Sequence, residues 1–272
     1  MRRLIPSLLL MTSLTPLSAS AQEKPSLLTP VRTAVVAEAR TYVRDLKGIA
    51  VAPIRWDSAG WLRFVEGAGA VAALYTLDQR LYRNVQNHRT SFTNDFAKAV
   101  TPFGGRRAEI ISVALIGSGL WMHENNVRDA GRDSLESELI AGGLITPLLK
   151  RAFGRARPSQ DEGAHSFTPF SSHHESFPSG HATNAFACAT AIAAHSDGWI
   201  VPSIAYTLAT GVAFSRVNDR AHFPSDVLAG ALIGRAIAKS VVHRHATGRT
   251  SWSLEPAFMA GHAGLAIHVA TR

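Results

Sequence analysis

The sequence predicts an all-α, multi-helix bundle with a short C-terminal β-hairpin. Three observations carry that prediction. Apolar residues recur with helical spacing through most of the chain, in uncharged stretches bounded by capping residues, glycines and prolines. Only 18% of the 272 residues are charged while 46% are apolar, so the chain has much apolar surface to bury, in itself or against lipid. After Gly248 the pattern shifts to period two, the signature of paired strands. The single cysteine, Cys188, excludes a disulfide-stapled scaffold and reads as a small core residue.

Taken in order, residues 1–21 read as a processing signal. Arg2 and Arg3 precede an uncharged apolar run from Leu4 to Leu17, and Ala19-Ser20-Ala21 supplies a small-residue cleavage pattern. Its removal leaves 26 basic against 20 acidic residues, a net charge of +6 rather than +8. An uncut N-terminal anchor is the alternative. The basic residues are scattered and do not interleave with aromatics, so nucleic acid is not the expected partner; an anionic small molecule or lipid headgroup is.

Residues 22–58 then supply an N-terminal helix and linker. Thr29-Pro30 forms an N-cap and first position, and Val36, Ala39, Val43 and Leu46 share one face. The helical domain spans 59–248. Helices are expected from Ala59 to Leu77 and, after a polar connection through Asn84, Asn87 and Asn94, from Arg107 to Met122. Asp133 with Glu136 reads as a capping box for a fourth, running toward Arg151 and interrupted at Gly142-Gly143 and Pro147. Three more are expected from Gly180 to Ala194, Trp199 to Phe214 and Pro224 to His243. Of the uncharged stretches only Gly198–Ser215, 18 residues long, approaches the roughly 20 that span a bilayer. A bundle of buried helices is therefore preferred over transmembrane segments. Residues 249–272 form the expected hairpin.

Three segments carry chemistry. Lys150 and Arg157 lie seven residues apart, about two helical turns, before Pro158, and suit an anion clamp; Arg151 and Arg155 read as solvated cations at a helix C-terminus. Pro178-Ser179-Gly180-His181 opens an apolar helix, with Ser179 as N-cap and Gly180 allowing an anion to reach the first backbone N–H groups. Ser215-Arg216 is followed by His222 and, four residues later, Asp226, whose carboxylate can accept the imidazole Nδ1–H and orient Nε2. His165, His173, His174 and Glu175 read as a solvated loop, with a metal site or leaving-group pocket as the weaker readings. His243 and His245 read as exposed cations, and Asp219 and Arg220 fall between substrate contact and a surface ion pair.

These three motifs, in this order between about Leu135 and Gly234, resemble the signature of the type 2 phosphatidic acid phosphatase superfamily. That superfamily includes bacterial acid phosphatases, lipid phosphatases and vanadium haloperoxidases. The resemblance implies their helical fold and a phosphoric monoester hydrolase working without metal or other cofactor. It implies that His222 attacks phosphorus to form a phosphohistidine, that Asp226 orients it, and that His181 protonates the leaving group and later activates water. Lys150, Arg157, Ser179, Gly180 and Arg216 would hold the phosphoryl oxygens. The expected protein is an exported phosphatase, periplasmic or secreted, acting on phosphomonoesters or lipid phosphates, with peripheral membrane contact left open. A vanadate-dependent haloperoxidase and an integral-membrane lipid or isoprenoid-diphosphate phosphatase are the alternatives.

Overall fold

The computed structural model describes residues 28–247, 250–259 and 262–271, so the processing signal over 1–21 lies outside the described residues. Nine α-helices are described: α1 Leu28–Val51, α2 Ser58–Asn87, α3 Ser91–Val100, α4 Arg106–Met122, α5 Asn125–Ile140, α6 Thr146–Phe153, α7 Gly180–Ala194, α8 Ile200–Asn218 and α9 Pro224–Thr247. Strands β1 Thr250–Met259 and β2 His262–Thr271 pair antiparallel, with Thr250 opposite Thr271.

Helix α7 is the hub, packed against α5, α8 and α9. Its small residues allow this: Ala185 and Ala189 pack with Val100, Ala209 and Val212. The approach to α9 is closer still, because a Cβ on Gly234 would lie 2.1 Å from the Thr183 carbonyl oxygen and one on Gly230 2.4 Å from that of Ser179. Only glycine permits that contact.

Several elements differ from the sequence reading. Helix α2 runs ten residues past Leu77, and α3 replaces part of the expected polar connection, capped by Thr90 and Thr93. Helix α5 begins at Asn125, so Asp133 and Glu136 lie inside it rather than forming a capping box; both are buried. The expected interruption is a π-helical turn, Ala141–Ile145, after which Pro147 sits in the first turn of α6, the part of a helix that tolerates proline best.

The expectation that the apolar stretches are buried fails on α8. Among the described residues this is the one helix long and apolar enough to cross a membrane, and only 28% of its apolar window is buried. Trp199, Ile200 and Ile204 face outward on it, as do Ile110, Val113 and Trp121 on α4; Trp121 is 83% exposed and Trp199 75%. Outward apolar rows of this kind mark an interaction surface.

Candidate active site

Four helix ends converge on the site. Helix α6 carries Lys150 in its last turn and stops at Gly154, which adopts φ +56° and lies so close to Thr168 that a Cβ would meet its carbonyl oxygen at 1.8 Å. Helix α7 starts at Gly180, with Ser179 at its N-cap position. Helix α8 ends just after Arg216, and α9 opens with Pro224, Ser225 and Asp226. The turn between them buries His222, whose N–H donates to the Arg216 carbonyl at 3.2 Å.

All eight residues expected in the site are brought to this end of the bundle. Lys150, Arg157 and Arg216 all act electrostatically on His222 and on His181. Burial, then the fields of Lys150, Arg157 and Arg216, hold the His222 imidazole well below its usual 6.5. It is therefore neutral near pH 7, with a lone pair free for attack. Burial, then Arg216, Lys150 and Arg157, push His181 down to about 4. Burial and the neighbouring Arg157 lower Lys150 to about 8. The Lys150 ammonium donates to the Glu175 carbonyl oxygen, and Arg216 donates to Thr101 Oγ1 at 3.2 Å and Asp219 Oδ2 at 3.4 Å.

Two expectations are corrected in detail. Ser179 holds the N-cap position but its hydroxyl caps nothing: Oγ is buried without a hydrogen-bond partner. A buried hydroxyl left unpaired is costly, and an incoming oxyanion would satisfy it. Asp226 does not hydrogen-bond His222 in this state. Its Oδ2 stands 3.9 Å from Nδ1, because that carboxylate is already held by Ser176 Oγ at 2.6 Å, Phe223 N–H at 2.8 Å and Arg155 at 2.5 Å. His222 Nδ1 is buried without a partner. A movement of about 1 Å would bring the two within bonding range, and such bonds often tighten only when substrate binds.

Arg155 is the functional residue that sequence reasoning missed. It is fully buried, not solvated, and it bridges Asp226 to Asp78 of α2, the latter at 2.7 Å. It also donates to the Ala164 carbonyl and to Ser225 Oγ, and its guanidinium stacks over Phe223, Tyr75 and Phe167. The available sequence signal was Asp78, an acid that directly follows the uncharged stretch from Gly67 to Leu77 on α2. Arg151 is exposed as expected, whereas Arg220 pairs with Asp161 and donates to Tyr82 Oη at 3.0 Å.

Residues 137–249 match the family model of the PAP2 superfamily. The chain is 46% identical to the lipid A 1-phosphatase of Rhizobium etli over 104 residues, 37% of this chain and 44% of that protein. It is 34% identical to the lipid A 1-phosphatase of Porphyromonas gingivalis over 99 residues, 35% of this chain and 19% of that one. The chain thus spans less than half the length of these curated relatives. Among solved structures it resembles the first transmembrane PAP2 type phosphatidylglycerolphosphate phosphatase from Bacillus subtilis, with a TM-score of 0.53 and 25% identity over 69% of this chain and 94% of that one. Fold and motifs together resemble the helical bundle of the PAP2 class. The chain carries a PAP2 superfamily domain over residues 137–249. The match ends before β1, so the comparisons do not bear out the expected hairpin as part of this architecture.

Proposed function

We propose that the chain is a membrane-associated phosphatase that hydrolyses a lipid-linked phosphomonoester without a metal, with lipid A 1-phosphate as the first substrate to test. The observation that carries this reading is the grouping of Lys150, Arg157 and Arg216 around a buried, neutral His222 beside the unpartnered Ser179 hydroxyl. In phosphoryl transfer the protein's task is mainly to position the group and neutralise its equatorial oxygens, which three cations and the α7 N-terminus can do.

In this mechanism His222 Nε2 attacks phosphorus in line and the P–O ester bond breaks, its electrons leaving with the alkoxide oxygen. His181 donates a proton to that oxygen. The low value near 4 means that His181 is neutral in the free enzyme near pH 7. A phosphate dianion in the clamp offsets the three cations and raises it, so binding equips the acid. In the second step His181 takes a proton from water as the water oxygen attacks the phosphohistidine, releasing phosphate and His222. Gly180 leaves its backbone N–H open to a phosphoryl oxygen, and Asp226 stabilises the charge that develops on His222.

Beside the site a cavity of about 740 Å³ runs past Arg83, Asp161, Glu162, His165 and Phe223. Its mixed lining, with Arg83 and His165 beside Tyr82 and Phe223, suits a headgroup, while the apolar flanks on α4 and α8 suit acyl chains and a bilayer. The resemblance to lipid A 1-phosphatases points the same way. The catalytic unit in this reading is the helical stretch 59–248. Export rests on the Arg2, Arg3 and Leu4–Leu17 pattern alone.

The test is a substrate panel on detergent-purified protein with EDTA present: lipid A, phosphatidate, p-nitrophenyl phosphate and a phosphodiester. Monoester turnover that persists in EDTA and disappears in His222→Ala is expected, with a covalent phosphate trapped on His222 by acid quench. Near-native turnover by His222→Ala would refute the mechanism. A preference for soluble monoesters over every lipid would refute the lipid assignment.

A further inference from the structure

We propose that Asp45, Glu136 and His245 form a binding site for a divalent transition-metal ion that pins α1 to the bundle. The cluster lies at the far end of the bundle from His222. Asp226 opens α9 and His245 closes it, about 28 Å away along the helix axis. Asp45 comes from α1, Glu136 from α5 and His245 from α9.

Geometry is the first support. One donor atom from each residue lies within 4.8 Å of the others, and His245 Nε2 is 3.0 Å from Asp45 Oδ2 and 3.4 Å from Glu136 Oε2. Donors bound at about 2.1 Å to one ion, at octahedral or tetrahedral angles, stand roughly 3.0–3.4 Å apart. The two separations from His245 Nε2 match that range, and the two carboxylates lie within 4.8 Å of each other.

The second support is an unsatisfied atom. Glu136 is 7% exposed and its buried Oε1 has no hydrogen-bond partner. A carboxylate oxygen buried in this way lacks the partner that burial requires. A bound cation supplies one.

The third is how His245 is held. Its Nδ1 faces Asp133 Oδ1 at 2.5 Å, and Asp133 is itself fixed by His195 Nε2 at 2.7 Å. A carboxylate on Nδ1–H fixes the tautomer and leaves the Nε2 lone pair directed at Asp45 and Glu136. This is how outer-sphere carboxylates orient a metal-binding imidazole. One imidazole with two carboxylates is a borderline-hard set, suited to Zn²⁺ or Mn²⁺ more than to Ca²⁺ or Mg²⁺. The ion would tie together three helices that otherwise meet through Tyr42, Leu46 and Ile49 of α1 packed on Ile140, Ile237 and Val241.

The test uses the full chain, stripped with EDTA and dialysed against Zn²⁺ alone, with bound metal counted by mass spectrometry and melting followed with and without zinc. The wild type should retain one equivalent more than either Asp45→Asn or Glu136→Gln. Zinc should raise the wild-type Tm by about 5 °C or more and leave the variants unmoved. Glu136→Gln keeps the side-chain shape, and its phosphatase rate, set at the other end of the bundle, reports that it is folded. Zinc held by surface histidines is common to all three proteins and cancels. Equal zinc content in the wild type and Glu136→Gln, or no zinc retained by the wild type, would overturn the proposal.

Discussion

Replacing Arg155 with Met keeps a long apolar stem at the site but removes the charge shared by Asp78 and Asp226. Both carboxylates are fully buried, at 2.7 and 2.5 Å from the guanidinium. Removing one partner of a buried ion pair costs about 3–5 kcal/mol, because the other charge is left uncompensated. Here each carboxylate keeps other donors: Ser225 N–H at 2.8 Å for Asp78, and Ser176 and Phe223 for Asp226. That argues for the lower end, about 3 kcal/mol, or a fall of roughly 6–12 °C in Tm for a chain this size. In the variant the orphaned carboxyls bind protons more tightly in the folded than in the unfolded state. Its deficit should accordingly be largest at pH 7 and shrink toward pH 5. Activity should fall with it, chiefly in kcat, since Asp226 loses the contact that fixes it beside His222. Thermal melts at both pH values and steady-state kinetics on p-nitrophenyl phosphate read the two effects. A Tm within 2 °C of wild type and a kcat within twofold would refute the reasoning that Arg155 is the keystone.

Other outcomes follow from the same geometry. Lys150 serves as a cation and is lowered to about 8, so kcat/KM should decline as pH rises through that value; Lys150→Arg should move the alkaline limb up by at least two pH units. Ser179→Ala removes a hydroxyl bonded to nothing in the free protein, so it should leave Tm unchanged or higher while reducing kcat/KM about tenfold. His181→Ala should slow alkyl phosphates by about 10²-fold or more and p-nitrophenyl phosphate much less, because a good leaving group needs no acid. Equal losses on both substrates would remove His181 from the acid role.

The readable part of this chain is what short spacing fixes. Lys150 with Arg157, Ser179 with Gly180 and His181, and His222 with Asp226 are set by one or two helical turns, so their residue types declare a site directly. Longer-range pairings leave no such trace. Arg155 meets Asp78 across 77 residues, and His245 meets Asp133 and Asp45 across 112 and 200. Arg155 and His245 read as solvated cations and Asp133 as part of a cap, because a charge at a helix end ordinarily is, while Asp78 and Asp45 drew no reading. Helix α5 was misjudged for a related reason: it buries Asp133, Ser134, Glu136 and Glu138, the inverse of the amphipathic rule that locates helices. On α4 and α8 the same rule misled in the other direction, because apolar residues there face out.

These departures share one electrostatic logic. The chain carries 28 basic residues, yet it treats those near the site in two ways. Arg155 is given two carboxylates and is closed off from solvent, so its charge is consumed in holding the frame. Asp226 is tied to Arg155, although its field, like that of Glu175, still reaches Lys150. Lys150 donates only to a carbonyl oxygen, and Arg216 meets Asp219 at a long 3.4 Å. Lys150, Arg157 and Arg216 outnumber Asp219 and Glu175, the carboxylates set directly against them, so the pocket keeps a net positive charge for an anion. A phosphomonoester dianion is drawn to that charge more strongly than a phosphodiester, which carries −1 and one ester group too many for the equatorial cradle. Under the proposed function, a preference for monoesters over diesters is therefore the expected outcome of the substrate panel, set by how the arginines are partnered.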